Sequence, residues 1–221
     1  MTRFSRGLFA VGLLLLASLA LMQPASAQTT IANYNYVYGK DDAYAGLKFF
    51  RDQEADRWCW AATALMIMAF HGESQWLQCI QADDAHPQAD DAHPERPFPR
   101  SCCDVDGKEM PLCNRTGWPQ FGHYGFTSER KADYVPLTFS EVVEQIDNHL
   151  PIAVALQWST GGGHMGAVVG YQIDDKKQPW VLLIDPDGFH GAVLLRYEIV
   201  FGVTSDGPYK YWRSYYNIKK R

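Results

Sequence analysis

The sequence predicts an α+β domain in which helices come first along the chain and an antiparallel β-sheet follows. Three observations support this order. A long apolar stretch without proline or glycine lies at residues 58–70, a helix-capping motif lies at residues 138–141, and short β-branched or aromatic segments alternate with turn residues through 152–218. We expect a helical lobe at about residues 45–135 and a β lobe at about residues 136–221.

The first 27 residues have the pattern of a secretory signal peptide. Arg3 and Arg6 precede an apolar segment at residues 8–22, and Ala25-Ser26-Ala27 is a cleavage motif of the A-x-A type. The apolar segment is short for a membrane span. We therefore expect a mature domain at residues 28–221 that is secreted or periplasmic and leaves the membrane after cleavage. An uncleaved anchor is the alternative.

The charge of the chain limits its partners. It has 20 Lys and Arg against 25 Asp and Glu, a formal net charge of −5. The sequence contains no long segment rich in Lys and Arg. This mildly acidic composition argues against binding to nucleic acid or to anionic membrane surfaces. The length suits one domain with its own hydrophobic core, and we expect a monomer.

The helix predicted at residues 58–70 is the central feature of the first lobe. Nearly every position is apolar, so we expect a buried helix that ends at Gly72. Cys59 would lie in its first turn, where free backbone N–H groups and the helix dipole stabilise a thiolate. Gln53, six positions earlier, is placed to donate an amide N–H beside the sulfur, as in an oxyanion hole.

The other four cysteines are predicted to form disulfides, because export favours oxidation. Cys102 and Cys103 are adjacent and are not expected to pair with each other, so Cys79 should pair with one of them and Cys113 with the other. Cys59 is then an unpaired thiol. A zinc site made by the four cysteines is the alternative, but no C-x-x-C spacing supports it.

A second helix is predicted to begin within residues 73–80, and a tandem duplication follows it. Residues 82–88 are nearly repeated as residues 89–95. Because both copies are rich in Asp and contain Pro, we expect a solvated surface insertion at residues 82–99. Metal binding by the paired Asp and His residues is the functional alternative to a tolerated duplication.

The second lobe begins with a helix and continues as strands. Thr138 and Glu141 form a capping box that opens a helix predicted to run to Leu150. Five strands are predicted after it, at residues 152–158, 165–173, 180–184, 192–200 and 209–218.

A cysteine nucleophile needs a base within hydrogen-bond reach and a third group that orients the base. Among seven histidines, His164 is the best candidate, since it follows three glycines and opens an apolar strand that would place it at a lobe edge. Asp185 directly follows the strand predicted at residues 180–184 and could accept a hydrogen bond from the imidazole. It also begins an Asp-Pro-Asp-Gly turn, and the two roles are compatible.

The functional groups of the chain occur in the order Gln53, Cys59, His164 and Asp185. In this order the chain resembles the papain-like cysteine peptidases. Within that family it resembles the small bacterial branch, which includes a type III effector protease of plant pathogens and peptidases that trim double-glycine leaders. The motifs that carry this resemblance are Trp-Cys-Trp-Ala-Ala at residues 58–62, Gly-His-Met-Gly-Ala-Val-Val-Gly-Tyr at 163–171, and Ile-Asp-Pro at 184–186.

The resemblance implies a papain-like two-lobe fold and an exported cysteine endopeptidase that acts on a protein or peptide without a metal or cofactor. It implies that Cys59 is the nucleophile, His164 the base and then the acid, Asp185 the orienting group and Gln53 the oxyanion donor. The candidates for binding substrate are Gly162, Gly163 and Trp58. The chain departs from papain proper in lacking its Cys-Gly-Ser-Cys-Trp stretch and in having Asp185 where papain has Asn.

Two other functions use the same residues. An acyl transferase or peptidoglycan amidase could use the same Cys-His-Asp arrangement, because the chemistry is identical up to the acyl-enzyme. Alternatively, the chain could be a non-catalytic secreted module in which Cys59 is a buried structural thiol.

Overall fold

Seven antiparallel strands form one sheet within the part of the chain that the structure describes. The structure, a computed structural model, describes residues 49–86, 102–103, 113–187, 191–203 and 209–221, together with the backbone of residues 35–36. The strands are β1 (Asn35–Tyr36), β2 (Phe126–Glu129), β3 (Ile152–Trp158), β4 (Gly163–Ile173), β5 (Pro179–Asp185), β6 (Gly191–Arg196) and β7 (Tyr209–Lys220). Together with the helices described below, they confirm the predicted α+β class.

Strand β4 lies at the centre of the sheet, whose order is β2-β7-β3-β4-β5-β6 with β1 also paired to β4. β3 pairs with the first half of β4, where Leu156 lies opposite His164. β5 runs antiparallel along the other edge of β4, so the start of β4 lies beside the end of β5. This topology brings His164 and Asp185 to the same end of the sheet.

Helix α1 (Cys59–Phe70) is buried, as its composition predicts, with ten of its twelve residues in the core. It ends in a Schellman motif, in which the N–H of Gly72 donates to the carbonyl of Ala69 and the N–H of Glu73 donates to that of Met68. Gly72 has a φ of +88°, a left-handed conformation that glycine adopts without steric cost. The predicted position of the helix end is confirmed.

A buried hydrogen bond fixes α1 against the start of β4. Thr63, which is fully buried one turn after Cys59, donates its hydroxyl to the backbone carbonyl of Met165 at 3.1 Å. A buried hydroxyl without a partner is costly, so this bond favours one position of the helix relative to the strand. Cys59 lies four residues before Thr63, and His164 directly precedes Met165. The bond therefore also fixes the position of Cys59 relative to His164.

Helix α3 (Phe139–Asp147) begins at the predicted capping box, in which the side chains of Thr138 and Glu141 each accept from the other's backbone N–H. It ends three residues before Leu150, because His149 adopts a φ of +58° and turns the chain out of the helix. The predicted end of α3 is therefore wrong.

The strand predicted at residues 192–200 is also wrong in its second half. Only β6 (Gly191–Arg196) is extended, and the chain then forms the short helix α4 (Tyr197–Phe201). Val200 and Phe201 are both buried.

Two disulfides join the helical part of the chain. Cys79 is bonded to Cys103 and Cys102 is bonded to Cys113. All four sulfurs are thereby paired, so none of them offers a thiolate to a metal ion. Cys59 is the free cysteine.

The surface insertion predicted at residues 82–99 begins too early. Helix α2 (Gln78–Ala85) continues into the first copy of the duplication, and Ala82 is fully buried. Asp83 accepts a hydrogen bond from the backbone N–H of Cys102 at 2.7 Å. Residues 87–99 lie outside the described part of the chain.

Two more residues of the first copy make contacts outside it. Asp84 accepts a hydrogen bond from the hydroxyl of Tyr124 at 2.8 Å. The ring of His86 packs edge to face against Trp60, with 6.4 Å between ring centroids. The first copy is therefore part of the packed domain.

We expect that one copy of the duplication is sufficient for folding. Deleting residues 82–88 joins Gln81 to Ala89, so that Ala-Asp-Asp-Ala-His-Pro again follows Gln81. The free energy of unfolding in urea should change by about 0.6 kcal/mol or less, the loop-closure entropy for a twofold change in the length of a connection. Replacing both Asp83 and Asp90 with alanine removes the acceptor in either copy and should cost about 1–3 kcal/mol. A deletion variant that does not fold would contradict this expectation.

None of the helices in the described part of the chain is long and apolar enough to cross a membrane. The predicted signal peptide at residues 1–27 lies outside the described residues.

Candidate active site

His164 and Asp185 lie side by side at one end of the sheet. His164 is the second residue of β4 and Asp185 is the last residue of β5. The imidazole Nε2 lies 2.6 Å from Asp185 Oδ1, and the two side chains are only 16% and 15% exposed. The same carboxylate oxygen accepts the backbone N–H of Asp187 at 2.9 Å. Asp185 therefore begins the turn and contacts the imidazole at once.

Cys59 contacts the other side of the same imidazole. It is the first residue of α1, and its side chain lies close enough to His164 to raise the pKa of the imidazole. Since Nε2 faces Asp185, the ring nitrogen that faces Cys59 is Nδ1. The structure thus brings a sulfur, an imidazole and a carboxylate into one chain of contacts where α1 meets the sheet.

The surroundings of His164 favour its protonated form. Burial by itself lowers the pKa of the imidazole, because a charged group is poorly solvated in the protein interior. Hydrogen bonds to Asp185 and Cys59, together with the attraction of their negative charges, outweigh burial and raise the pKa of His164 to about 10. An imidazolium in this position stabilises a neighbouring thiolate.

A cavity of about 190 Å³ begins at Cys59 and His164. Its walls come from Arg57 and the start of α1, from residues 116–118, from the β3–β4 hairpin and from Trp212 of β7, and they contain no carboxylate among the described residues. The indoles of Trp118 and Trp212 meet edge to face in this wall, with 4.7 Å between ring centroids. The cavity is large enough for one side chain of a substrate and lies directly beside the sulfur.

Two glycines allow the walls of the cavity to pack closely against their neighbours. A Cβ on Gly163 would lie 2.7 Å from the carbonyl oxygen of Leu156, and a Cβ on Gly117 would lie 2.6 Å from the indole of Trp60. Larger residues at these positions would force the walls apart. Gly162 also lines the cavity, so both glycines predicted to bind substrate lie beside the sulfur.

Comparison with known protein families identifies the chain. The profile of the Peptidase_C39 like family matches residues 48–217, more than half of the chain, and the match includes every group described above. The chain belongs to the Peptidase_C39 like family. It is a papain-like cysteine peptidase, and therefore a hydrolase.

One solved structure to which the peptidase is similar is described as the bromelain protease from Ananas comosus in complex with the E64 inhibitor. The two chains are 10% identical, the match covers 75% of the peptidase and 91% of the bromelain chain, and the TM-score is 0.34. No curated protein matches the peptidase.

An aromatic pair covers the imidazole of the peptidase. The indole of Trp158, at the end of β3, stacks on His164 with 6.1 Å between ring centroids and an angle of 28°. The ring of Tyr209 packs against Trp158 at 5.5 Å. By limiting access of water, this pair strengthens the electrostatic attraction between His164 and Asp185.

Trp158 and Tyr209 were not predicted from the sequence as site residues, although the hairpin contains a signal for Trp158. Leu156 lies opposite His164 in the β3–β4 pair. Side chains two positions apart on a strand share a face, so Trp158 lies on the same face of the sheet as His164. That signal could be used only after the register of the two strands was known.

Gln53 lies on a loop that is tied to the end of β5. Its backbone N–H donates to the carbonyl of Pro186 at 2.8 Å, and its side-chain Nε2 donates to the carbonyl of Asp56 at 3.1 Å. The first bond places Gln53 next to the residue that follows Asp185. An amide nitrogen carries two hydrogens, so the bond to Asp56 leaves one N–H of Gln53 for a further acceptor.

Trp58 was predicted to bind substrate, and this prediction is wrong for its side chain. The indole is 1% exposed and donates its Nε1–H to the carbonyl of Cys113 at 2.8 Å. It does not line the cavity beside Cys59. The side chain of Trp58 instead fixes the start of α1 against the disulfide-bonded segment.

Two other titratable residues of the described chain, Asp174 and His123, lie apart from this site. Asp174 begins the turn at the opposite end of the β4–β5 hairpin, where it accepts from the backbone N–H of Gln178 at 2.7 Å. His123 is an exposed residue that lies 3.4 Å from Asp84. His190 lies outside the described residues.

Proposed function

We propose that the peptidase hydrolyses peptide bonds through a Cys59–His164–Asp185 triad. The observation that carries this proposal is the position of His164, with Nε2 at 2.6 Å from Asp185 and its other ring nitrogen facing Cys59. A nucleophile, a base and an orienting group in one line are the parts that acyl transfer by a cysteine requires.

The reaction begins with the thiolate of Cys59 attacking the carbonyl carbon of the substrate amide. Two N–H groups, from the Cys59 backbone and the Gln53 side chain, bind the oxygen that becomes negative. The imidazolium of His164 then donates its proton to the nitrogen of the leaving amine, and an acyl-enzyme remains. Water attacks this thioester while His164 accepts a proton, and the acid product leaves Cys59 as a thiolate again.

The substrate is expected to lie extended across the boundary between α1 and the sheet. The cavity beside Cys59 receives one side chain, and Gly162 and Gly163, which have no side chains, let a substrate main chain pass close beside them. Export by the leader at residues 1–27 is part of the proposal, and the two disulfides fit an oxidising compartment.

The proposal is tested with the mature chain, residues 28–221, purified without reductant so that the disulfides stay intact. Casein and peptidoglycan fragments are incubated in parallel with this protein and with Cys59→Ala. We expect new amino termini from casein, none from Cys59→Ala, and no release of peptides from peptidoglycan. Cleavage of peptidoglycan alone would identify an amidase, and inactivity on both would favour the non-catalytic module.

A further inference from the structure

Arg57 is a basic residue in the wall of the cavity that the proposed chemistry does not use. It lies two positions before Cys59 and lines the same cavity as residues 116–118. Its backbone N–H donates to the side-chain carbonyl of Asn114 at 3.0 Å. Because Asn114 follows Cys113, whose disulfide and carbonyl anchor the segment, the backbone of Arg57 has a fixed position.

The guanidinium of Arg57 has no carboxylate partner among the described residues, whereas other arginines of the chain do. Arg213 pairs with Asp133 at 2.6 Å and Arg196 pairs with Glu198 at 3.1 Å. Arg57 is solvent-exposed and lines a cavity whose described walls contain no acidic side chain. In a chain with a net charge of −5, this leaves a cationic site at the place where a substrate side chain enters.

The cavity lies directly beside the bond that is cleaved. Cys59 and His164 both line it, together with Gly162 and Gly163 of the β3–β4 hairpin. A substrate side chain that enters the cavity therefore belongs to a residue close to the cleaved bond.

We propose that Arg57 selects substrates with a carboxylate side chain, aspartate or glutamate, at the residue that occupies the cavity. A guanidinium binds a carboxylate with two parallel hydrogen bonds, which adds geometric selectivity to the charge attraction. This inference rests on the proposed peptidase function, which it deepens by naming a substrate class. Arg57 is thus a specificity-determining residue of the site.

The first test uses pairs of peptides that differ only by glutamate or glutamine at one residue, which is placed in turn at each position within two residues of the cleaved bond. At one of these positions the wild type should cleave the glutamate peptide with a kcat/KM about 10- to 100-fold higher, the range expected for a hydrogen bond to a charged group. Arg57→Gln should bring that ratio close to one. Lys176→Gln, which removes an equal charge from the distant β4–β5 turn, should keep the wild-type ratio.

The second test does not depend on peptide cleavage. Iodoacetate and iodoacetamide both alkylate Cys59 by displacement of iodide, and only iodoacetate carries a carboxylate. The rate with iodoacetate divided by the rate with iodoacetamide should fall about tenfold or more in Arg57→Gln. The same ratio should be unchanged in Lys176→Gln. Because the other four cysteines are in disulfides, the label reports Cys59 alone.

The outcomes separate the two proposals. Peptide cleavage with no glutamate preference, and an iodoacetate ratio unaffected by Arg57→Gln, would overturn the role of Arg57 and leave the peptidase standing. An Arg57-dependent iodoacetate ratio without any peptide cleavage would support carboxylate selection and overturn the proposed function. A preference for a free carboxyl terminus over its amide on the leaving side would show that the carboxylate is not a side chain and overturn the assignment.

Discussion

Replacing His164 with alanine is expected to lower kcat/KM for peptide hydrolysis by about 10³-fold or more. The imidazolium stabilises the thiolate of Cys59 and supplies the proton that the leaving amine needs, so its loss removes both steps at once. Steady-state kinetics with a fluorogenic peptide measure the effect, and a urea unfolding curve shows that the variant is folded.

The matched control is His123→Ala. His123 is exposed and its nearest charged partner is Asp84, at 3.4 Å. Its removal should leave kcat/KM within about twofold, since surface substitutions away from a site have small effects. If His164→Ala retained most of the activity, another base would be acting on Cys59 and the proposed triad would be wrong.

Replacing Asp185 with alanine is expected to lower kcat/KM by about 10²- to 10⁴-fold, mostly through kcat. The alanine variant loses the acceptor that orients the imidazole at 2.6 Å and the turn bond from Asp187. Asp185→Asn should lose much less, because an amide carbonyl can still accept from both donors. The difference between the two variants measures orientation separately from charge.

Both variants should also change the pH dependence. Activity falls at alkaline pH when the imidazolium loses its proton, and the pKa of His164 is raised to about 10 in part by the Asp185 charge. Removing that charge lowers the pKa, so the alkaline limb of kcat/KM should move to lower pH. Asp174→Asn, at the turn on the opposite end of the hairpin, should leave the limb unchanged. An unmoved limb in Asp185→Asn would show that the carboxylate charge does not act on His164.

The elements that sequence could predict are those determined by local signals. Helix α1 combines an uninterrupted apolar run with a glycine stop, and α3 begins at a capping box, so the end of α1 and the start of α3 follow from neighbouring residues. Strand β3 has the predicted bounds because Pro151 and the glycines after Trp158 interrupt the chain on both sides. In each case the physical cause lies within a few residues of the element.

The features that were missed depend on distant partners. Strand β2 buries only its first residue, and it exists because it pairs with β7 at the far end of the chain. Helix α2 begins within the predicted range, but its continuation into the duplication was missed. Its two buried glutamines bind remote backbone: the Gln78 amide donates to the carbonyl of Asp52, and the Gln81 amide donates to that of Ala61. A polar side chain satisfied by remote backbone groups leaves no apolar pattern in the sequence.

The site shows the same division. Cys59, His164 and Asp185 could be predicted because each stands at the end of a helix or strand whose limits are local. The cover provided by Trp158 and the buried position of the Trp58 indole depend on register and packing, which the sequence does not display.

Because His164 lies between Asp185 and Cys59, we expect the imidazole to make Cys59 reactive, and the rate of Cys59 alkylation by iodoacetamide at about pH 6 measures that reactivity. The wild type should be alkylated about tenfold faster or more than His164→Ala, because an imidazolium stabilises the thiolate that attacks iodoacetamide. Equal rates in the two proteins would show that His164 does not act on Cys59, and the proposed triad would then be wrong.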